Sequence, residues 1–308
     1  MSYSVEQKTS KLHKRNKPIP NLANCKTMRN TMSVDIEIIC VGNELLIGKI
    51  QNTNAYWLAK QATQLGANVR RTTVIQDLID EISKCITEAM KRKPKFIITT
   101  GGLGPTFDDK TLQGIAEALN RNLEVNPKAL AMIKQKCIEW AKKRQSSTEI
   151  ELTPPRIKMA TFPETTVVVN NPIGTAPALR VDIDGTVLFA LPGVPSEMEA
   201  IFKESIAPLI KQAVGGIVFC EKSMFVDNMA ESYLAPLIDK AMANNGDVYI
   251  KSHVCTNSNP IPTKNKPHIE LHLTIRAEEK EKPQTMLLKT MQELASLVEA
   301  NGGKALIE

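Results

Sequence analysis

The run Thr99-Thr100-Gly101-Gly102-Leu103-Gly104-Pro105-Thr106-Phe107-Asp108-Asp109 brings three glycines, three hydroxyls and two adjacent carboxylates into one short segment. Glycines without Cβ atoms let a backbone approach a ligand closely and turn several N–H groups toward it. A helix N-terminus adds about half a positive charge, so a glycine turn that enters a helix suits phosphate or pyrophosphate. Adjacent carboxylates beside such a cradle suit a divalent cation (Mg, Mn or Co), which neutralises phosphate oxygens and can activate a water. A second reading of the same pair stands beside this one. Asp108 serves equally as an N-cap, and Thr106-x-x-Asp109 as a variant of the capping box.

The elements that must hold this run can be read on either side of it. Ile36–Val41 is apolar apart from Glu37, close to the pattern of a strand covered on both faces. A helix is predicted over Asn54–Leu65, then a strand over Val69–Ile75, and a helix capped by Asp77 that runs to about Arg92. Phe96–Thr99 is a third buried strand, Asp108/Asp109 open a helix to Leu119, and a basic helix covers Pro127 to Arg144. Strands alternating with helices at this spacing predict βαβ units and a mostly parallel sheet between two helical layers, a three-layer α/β/α fold. Residues 145–155 read as an exposed loop. Asp184-Gly185 then joins strands Ala178–Ile183 and Thr186–Leu191 as a two-residue hairpin, and Pro195–Ile210 as a closing helix.

Three further loops share the character of the first. They are Gly42-Asn43-Glu44-Leu45-Leu46-Ile47-Gly48, Asn171-Pro172-Ile173-Gly174-Thr175-Ala176-Pro177 and Leu191-Pro192-Gly193-Val194-Pro195-Ser196-Glu197. Each alone is a turn; converging at one sheet edge they form a pocket, since parallel sheets bind ligands at the carboxyl ends of their strands. Two familiar nucleotide signatures fail. Gly42–Lys49 has five residues between its glycines instead of the four of a P-loop, and Ile50 stands where Ser or Thr belongs. Gly101-Gly102-x-Gly104 is not G-x-G-x-x-G, which argues against a dinucleotide-binding dehydrogenase.

The net charge of +6 comes from one end of the chain. Residues 1–32 hold seven basic residues against Glu6 alone, which leaves 32 basic and 32 acidic residues over 33–308. The basic pI therefore implies no basic face on the folded body, and nucleic acid is not an expected partner. Residues 1–33 are predicted to be a disordered basic tail. The six cysteines show no C-x-x-C pair and read as reduced thiols of a soluble, cytoplasmic protein; no apolar run is long enough for a membrane helix.

Beyond Gly215-Gly216, residues 217–308 predict a small α+β domain of β-α-β-β-α order. His253, Cys255, His268, Glu270 and His272 fall within it, but at a spacing that fits no zinc pattern. No G-x-x-G loop joins its elements, so packing or dimerisation is expected of it before RNA binding. Lys134, Lys136, Lys142, Lys143 and Arg144 read as a solvated helix face, and Trp57 and Trp140 as packing residues.

Taken together, VGNELLIGKIQNTN, TTGGLGPTFDDKT, NPIGTAPAL and LPGVPSEM resemble the CinA-type competence/damage-inducible family, which shares the MoaB/Mog molybdopterin-binding fold. The resemblance covers about residues 34–213, within a domain over 34–214, and the following domain resembles the KH-like domain of that family. It implies that Thr100, Gly101, Gly102 and Gly104, with Thr106, hold phosphates and that Asp108 and Asp109 act with a divalent metal. Glu44 and Asn54, with Gly42 and Asn43, would flank the ligand, and Asn171, Gly174, Thr175, Pro192 and Gly193 would complete the wall. Asn43 stands where many relatives have Thr, which removes a hydroxyl contact.

The activity implied is metal-dependent hydrolysis of ADP-ribose to AMP and ribose 5-phosphate, by a homo-oligomer such as a homodimer. The alternatives are molybdopterin binding with adenylyl transfer, and a non-catalytic nucleotide-binding module. Full bacterial members carry a C-terminal nicotinamide-mononucleotide deamidase domain; this chain has no room for it before Glu308, and deamidase activity is not expected.

Overall fold

The computed structural model describes residues 33–145, 151–254 and 268–307. The basic tail and Cys255 therefore lie outside the described residues.

The chain opens with β1 (Asp35–Val41), a short α1 (Asn43–Leu46), α2 (Thr53–Gln64), β2 (Asn68–Ile75), α3 (Ile79–Lys91) and β3 (Phe96–Thr100). There follow α4 (Thr111–Ala118), β4 (Leu123–Val125), α5 (Pro127–Lys143), α6 (Pro154–Met159), β5 (Thr161–Pro163) and β6 (Val167–Val169). The first sheet is completed by β7 (Ala178–Ile183) and β8 (Thr186–Leu191), then covered by α7 (Pro195–Ile201), a π-helical turn over Phe202–Ile206, and α8 (Ala207–Val214).

Six strands lie in the order β2-β1-β3-β8-β7-β6. The first four run parallel, while β7 is antiparallel to both β8 and β6, so the sheet is mixed. Side chains alternate across a strand, and β1 shows the result. Ile36, Ile38 and Cys40 join a core with Leu58 of α2, Met198 and Ile201 of α7 and Ile210 of α8. Ile39 and Val41 join the opposite core with Ile82 and Ile86 of α3, Ile115 of α4 and Ile133 of α5. The three expected layers follow. Glu37, the one fully buried charge in β1, receives two hydrogen bonds of 2.7 Å from the Arg92 guanidinium at the end of α3.

The hairpin at Asp184-Gly185 forms as its sequence predicts, with φ 47° and 88° at the two central residues. Other expectations need correction. Asp77 does not cap α3: the helix begins at Ile79 behind Leu78 with no side-chain cap, and the Asp77 carboxylate instead accepts the Asn43 N–H at 2.7 Å. Asp108 and Asp109 do not open a helix, because α4 starts at Thr111. The exposed loop expected over residues 145–155 is cut short, since Thr153 leads into α6, with Pro154 and Pro155 at the start positions where a proline costs no hydrogen bond.

The second sheet contains β9 (Ile217–Asp227), β10 (Val248–Val254), β11 (His268–Glu278) and β12 (Lys304–Ile307), antiparallel in the order β10-β11-β9-β12. Helices α9 (Glu231–Asn244) and α10 (Pro283–Ala300) cover one face, with Leu234, Leu287 and Leu294 packed on Met224 and Leu271. The final strand β12 is an addition to the predicted order. Arg276 of β11 donates to the Asn68 side chain of β2 at 3.1 Å, which ties the two sheets together.

Candidate functional site

At the carboxyl ends of β1, β3 and β8 the glycine loops meet. Gly101 leaves β3 with φ 105°, and a Cβ built on it would lie 2.2 Å from the Val41 carbonyl oxygen. Only glycine fits there, so the turn lies directly on the end of β1. Gly193 approaches from β8: a Cβ on it would be 3.3 Å from the Gly101 Cα. Asn54, in the first turn of α2, links the turns. Its Nδ2 donates to the Thr100 hydroxyl at 3.1 Å and to the Gly193 carbonyl at 2.9 Å, and that hydroxyl donates to the Pro192 carbonyl at 2.9 Å.

The cavity these loops enclose is about 1100 Å³, lined by Glu44, Asn54, Thr100, Gly101, Gly102, Gly104, Asp108, Asp109, Thr175, Pro192 and Gly193 among others. Ligand pockets of this kind typically hold whole small molecules rather than a single phosphate. Five expected site residues lie behind that surface and shape it. Gly42 donates its N–H to the Ile75 carbonyl, and Asn43 is held by Asp77. Thr106 serves the acidic pair. Asn171 is buried, its amide donating to the Ala176 carbonyl at 2.9 Å and to Glu197 at 2.6 Å while its oxygen accepts from Ile173 and Gly174. A Cβ at Gly174 would collide with the Glu197 carboxyl carbon at 2.1 Å.

The acidic pair is organised by Thr106. Its hydroxyl lies 2.5 Å from Asp108 Oδ1 and 2.6 Å from Asp109 Oδ2, and its backbone N–H donates to the same Asp109 oxygen at 2.8 Å. The exchange between positions 106 and 109 resembles half of a capping box, but it closes a loop and caps no helix. The Thr106 hydroxyl holds the Asp108 carboxyl below its ordinary value. Asp77, missed in the sequence as a site residue, lines the same cavity. Burial raises its carboxyl above the ordinary value, and the negative charges of Glu44, Asp108 and Asp109 push the same way. Among the described residues no three His, Cys, Asp or Glu side chains converge as a ready metal cage. The oxygen-only donors nevertheless suit a hard cation such as Mg²⁺, which is commonly held by one or two carboxylates together with phosphate oxygens.

Two residues of α6 had no sequence signal because that helix was not predicted. Lys158 donates to three backbone carbonyls of the glycine loop, Gly104 at 3.1 Å, Thr106 at 2.6 Å and Asp109 at 2.6 Å. Burial pulls its ammonium below the usual lysine value, against the attraction of Asp109 and Asp108. Arg156 lines the cavity and donates to the Glu151 carbonyl. The supposedly solvated face of α5 also contributes. Lys136 donates to the Pro172 carbonyl at 2.8 Å, and Arg144 and Trp140 line the cavity. Trp57, by contrast, packs edge-on against Phe202 at 5.3 Å, as a core residue does. In the second sheet, Glu270 accepts from Ser223 and His272 pairs with Glu221 at 3.1 Å, so neither is arranged as a metal ligand.

Residues 37–212 match the family described as Probable molybdopterin binding domain. The chain belongs to that family. The match reaches from β1 into α8 and so contains every described residue that lines the cavity. A protein of Aeropyrum pernix is 39% identical over 268 residues, 86% of this chain and 94% of the relative. One of Sulfurisphaera tokodaii is 37% identical over 267 residues, 87% of this chain and 96% of the relative. A crystal structure of a protein named CinA, with unknown function, from Thermoplasma acidophilum is 37% identical, with a TM-score of 0.50. It aligns with 59% of this chain over 99% of its own length. No helix among the described residues is long and apolar enough to cross a membrane.

Proposed function

We propose that the cavity binds a phosphorylated pterin of the molybdopterin class, in a protein of CinA type, and supports adenylyl transfer from ATP to its phosphate, with pyrophosphate leaving. The observation that carries this reading is the placement, within a molybdopterin binding domain, of Gly101, Gly102 and Gly104 on the same cavity wall as Glu44, Asp108 and Asp109. Backbone N–H groups of the glycine turn hydrogen-bond the phosphate oxygens, and Lys158 keeps the turn in shape from behind. Asp108 stays ionised through its Thr106 hydrogen bond. A divalent cation held by Asp108 and Asp109 would neutralise negative charge on the phosphates.

Molybdopterin is incubated with ATP and Mg²⁺, and in parallel ADP-ribose with Mg²⁺, Mn²⁺ or Co²⁺. Adenylylated pterin is the expected product, with Asp108→Asn slowing its formation by at least about 10-fold, the lower end of the cost of disturbing a metal's supporting shell. AMP released from ADP-ribose in place of adenylylated pterin would identify the site as a phosphoanhydride hydrolase. Tight binding with no turnover, unaltered by Asp108→Asn, would identify a sensor.

A further inference from the structure

The phosphate loops account for one side of a cavity of about 1100 Å³. The other side is built differently. Trp140, on the last turns of α5, lines it with 45% of its surface exposed, unusual for an indole that packing alone would explain. The Arg144 guanidinium, one turn further on, lies 5.8 Å from the Trp140 ring centroid, and Arg156 of α6 stands on the same wall. Met159 and Cys137 supply apolar lining beside them. An indole and a guanidinium are both planar, and each stacks on aromatic rings. The guanidinium can also serve a phosphate, but an exposed indole on the wall is not what a phosphate-only site needs.

We propose that Trp140 and Arg144 form the platform that receives the planar heteroaromatic ring, purine or pterin, of a ligand whose phosphates lie on Gly101–Gly104. The proposal rests on the phosphate reading of the glycine loop and adds the specificity-determining end of the site. The room supports it: a diphosphate leaves most of the cavity empty, and a ring joined to it by a sugar or short side chain spans the remainder. Ring stacking also divides the labour chemically. The glycine turn and the carboxylates read charge and are indifferent to what the phosphate is attached to, whereas the α5 wall reads shape and aromaticity.

The chain has two tryptophans, so Trp57→Phe leaves Trp140 as the sole indole reporter. In that protein, with Mg²⁺ present, ADP and a phosphorylated pterin are titrated separately against pyrophosphate, which has no ring. Ring-bearing ligands are expected to change the Trp140 emission, and pyrophosphate to leave it unchanged. By calorimetry on the otherwise unaltered chain, Trp140→Ala is expected to weaken whichever ring-bearing ligand binds by about 10- to 100-fold, the usual worth of one stacked base. Pyrophosphate affinity should stay within about twofold, and Trp140→Tyr should recover most of the loss. A larger effect on ADP than on the pterin would assign the platform to the purine, and the reverse to the pterin. If Trp140→Ala leaves ring-bearing ligands unaffected, or weakens pyrophosphate equally, the platform is wrong while the phosphate site stands. If the unaltered protein binds neither pyrophosphate nor a ring-bearing ligand, both readings fall.

Discussion

Single residues here are constrained by very short distances. Gly101 combines a left-handed backbone with a neighbour 2.2 Å from where a Cβ would stand, and that neighbour is main chain, which has nowhere to go. Gly101→Ala is therefore expected to destabilise the fold by about 3 kcal/mol or more, or to abolish folding, measured by urea denaturation. Gly185 is the control: it also has positive φ but nothing within 4 Å, so its alanine variant should lose only about 1 kcal/mol. Lys158 acts from behind the same loop. Lys158→Met keeps the aliphatic stem but leaves three carbonyls without their cation, at about 1–3 kcal/mol for each group that water cannot reach. The variant should lose about 2 kcal/mol of stability and weaken pyrophosphate binding together, since loop shape and phosphate affinity are one property.

At the scale of elements, α3 is held to β1 by more than its apolar stripe. The Arg92 guanidinium satisfies buried Glu37 at one end, and Cys85 lies half-buried near them. Burial pushes the Cys85 thiol up to about 11; Arg92 pulls it down, and Glu88, Glu37 and Glu81 add to the rise. The sign of the consequence follows from linkage. An unfolded thiol loses its proton near 9, while the folded one keeps it to about 11, so between these values the folded state binds more protons. Stability should fall as pH rises through that window, by about 1 kcal/mol once solvent screening of a half-exposed group is allowed for. Melts of the parent and Cys85→Ala at pH 8 and pH 10.5 test this. The parent should lose more between the two pH values than the variant does, and parallel losses would contradict the assignment.

For the molecule as a whole, the cavity-lining residues among those described run from Cys40 to Glu197, and the described second sheet contributes none. Contacts between the two parts include Arg276 with Asn68, Ile217 beside Gly66, and β9 against α2. We infer that the chain divides functionally near Gly215, with the site complete in the first part. A chain ending at Val214 should bind pyrophosphate within about threefold of the full protein, well under the tenfold that 1.4 kcal/mol represents. A loss beyond that, with far-ultraviolet circular dichroism showing the truncated part folded, would mean that the second sheet shapes the site from outside.

Much of this architecture could be read along the chain because it rests on local rules. Alternating strands and helices gave the three layers, Asp184-Gly185 gave its hairpin, and the dense glycines between Thr100 and Pro105 marked the turn at the end of β3. What could not be read were partnerships between distant residues. Asp77 looked like a helix cap because caps and loop anchors use the same side chain; its partner Asn43 lies 34 positions away. Asn171 and Gly174 had the types of a ligand wall, yet the Asn171 amide is spent on Ala176 and on Glu197, 26 positions away, and the Gly174 N–H on the Asn171 oxygen. Arg144 carried no motif, because a helix face reads as solvated until something folds opposite it; Trp140 read as packing, and Lys158 lies on a helix that was not predicted. Sequence determined the layers and the phosphate turn through backbone preference and periodicity, both local. Which side chains face the cavity, and which are spent holding its walls, was decided only when the strand ends met, since hydrogen bonds and close contacts are satisfied in space and not in order along the chain.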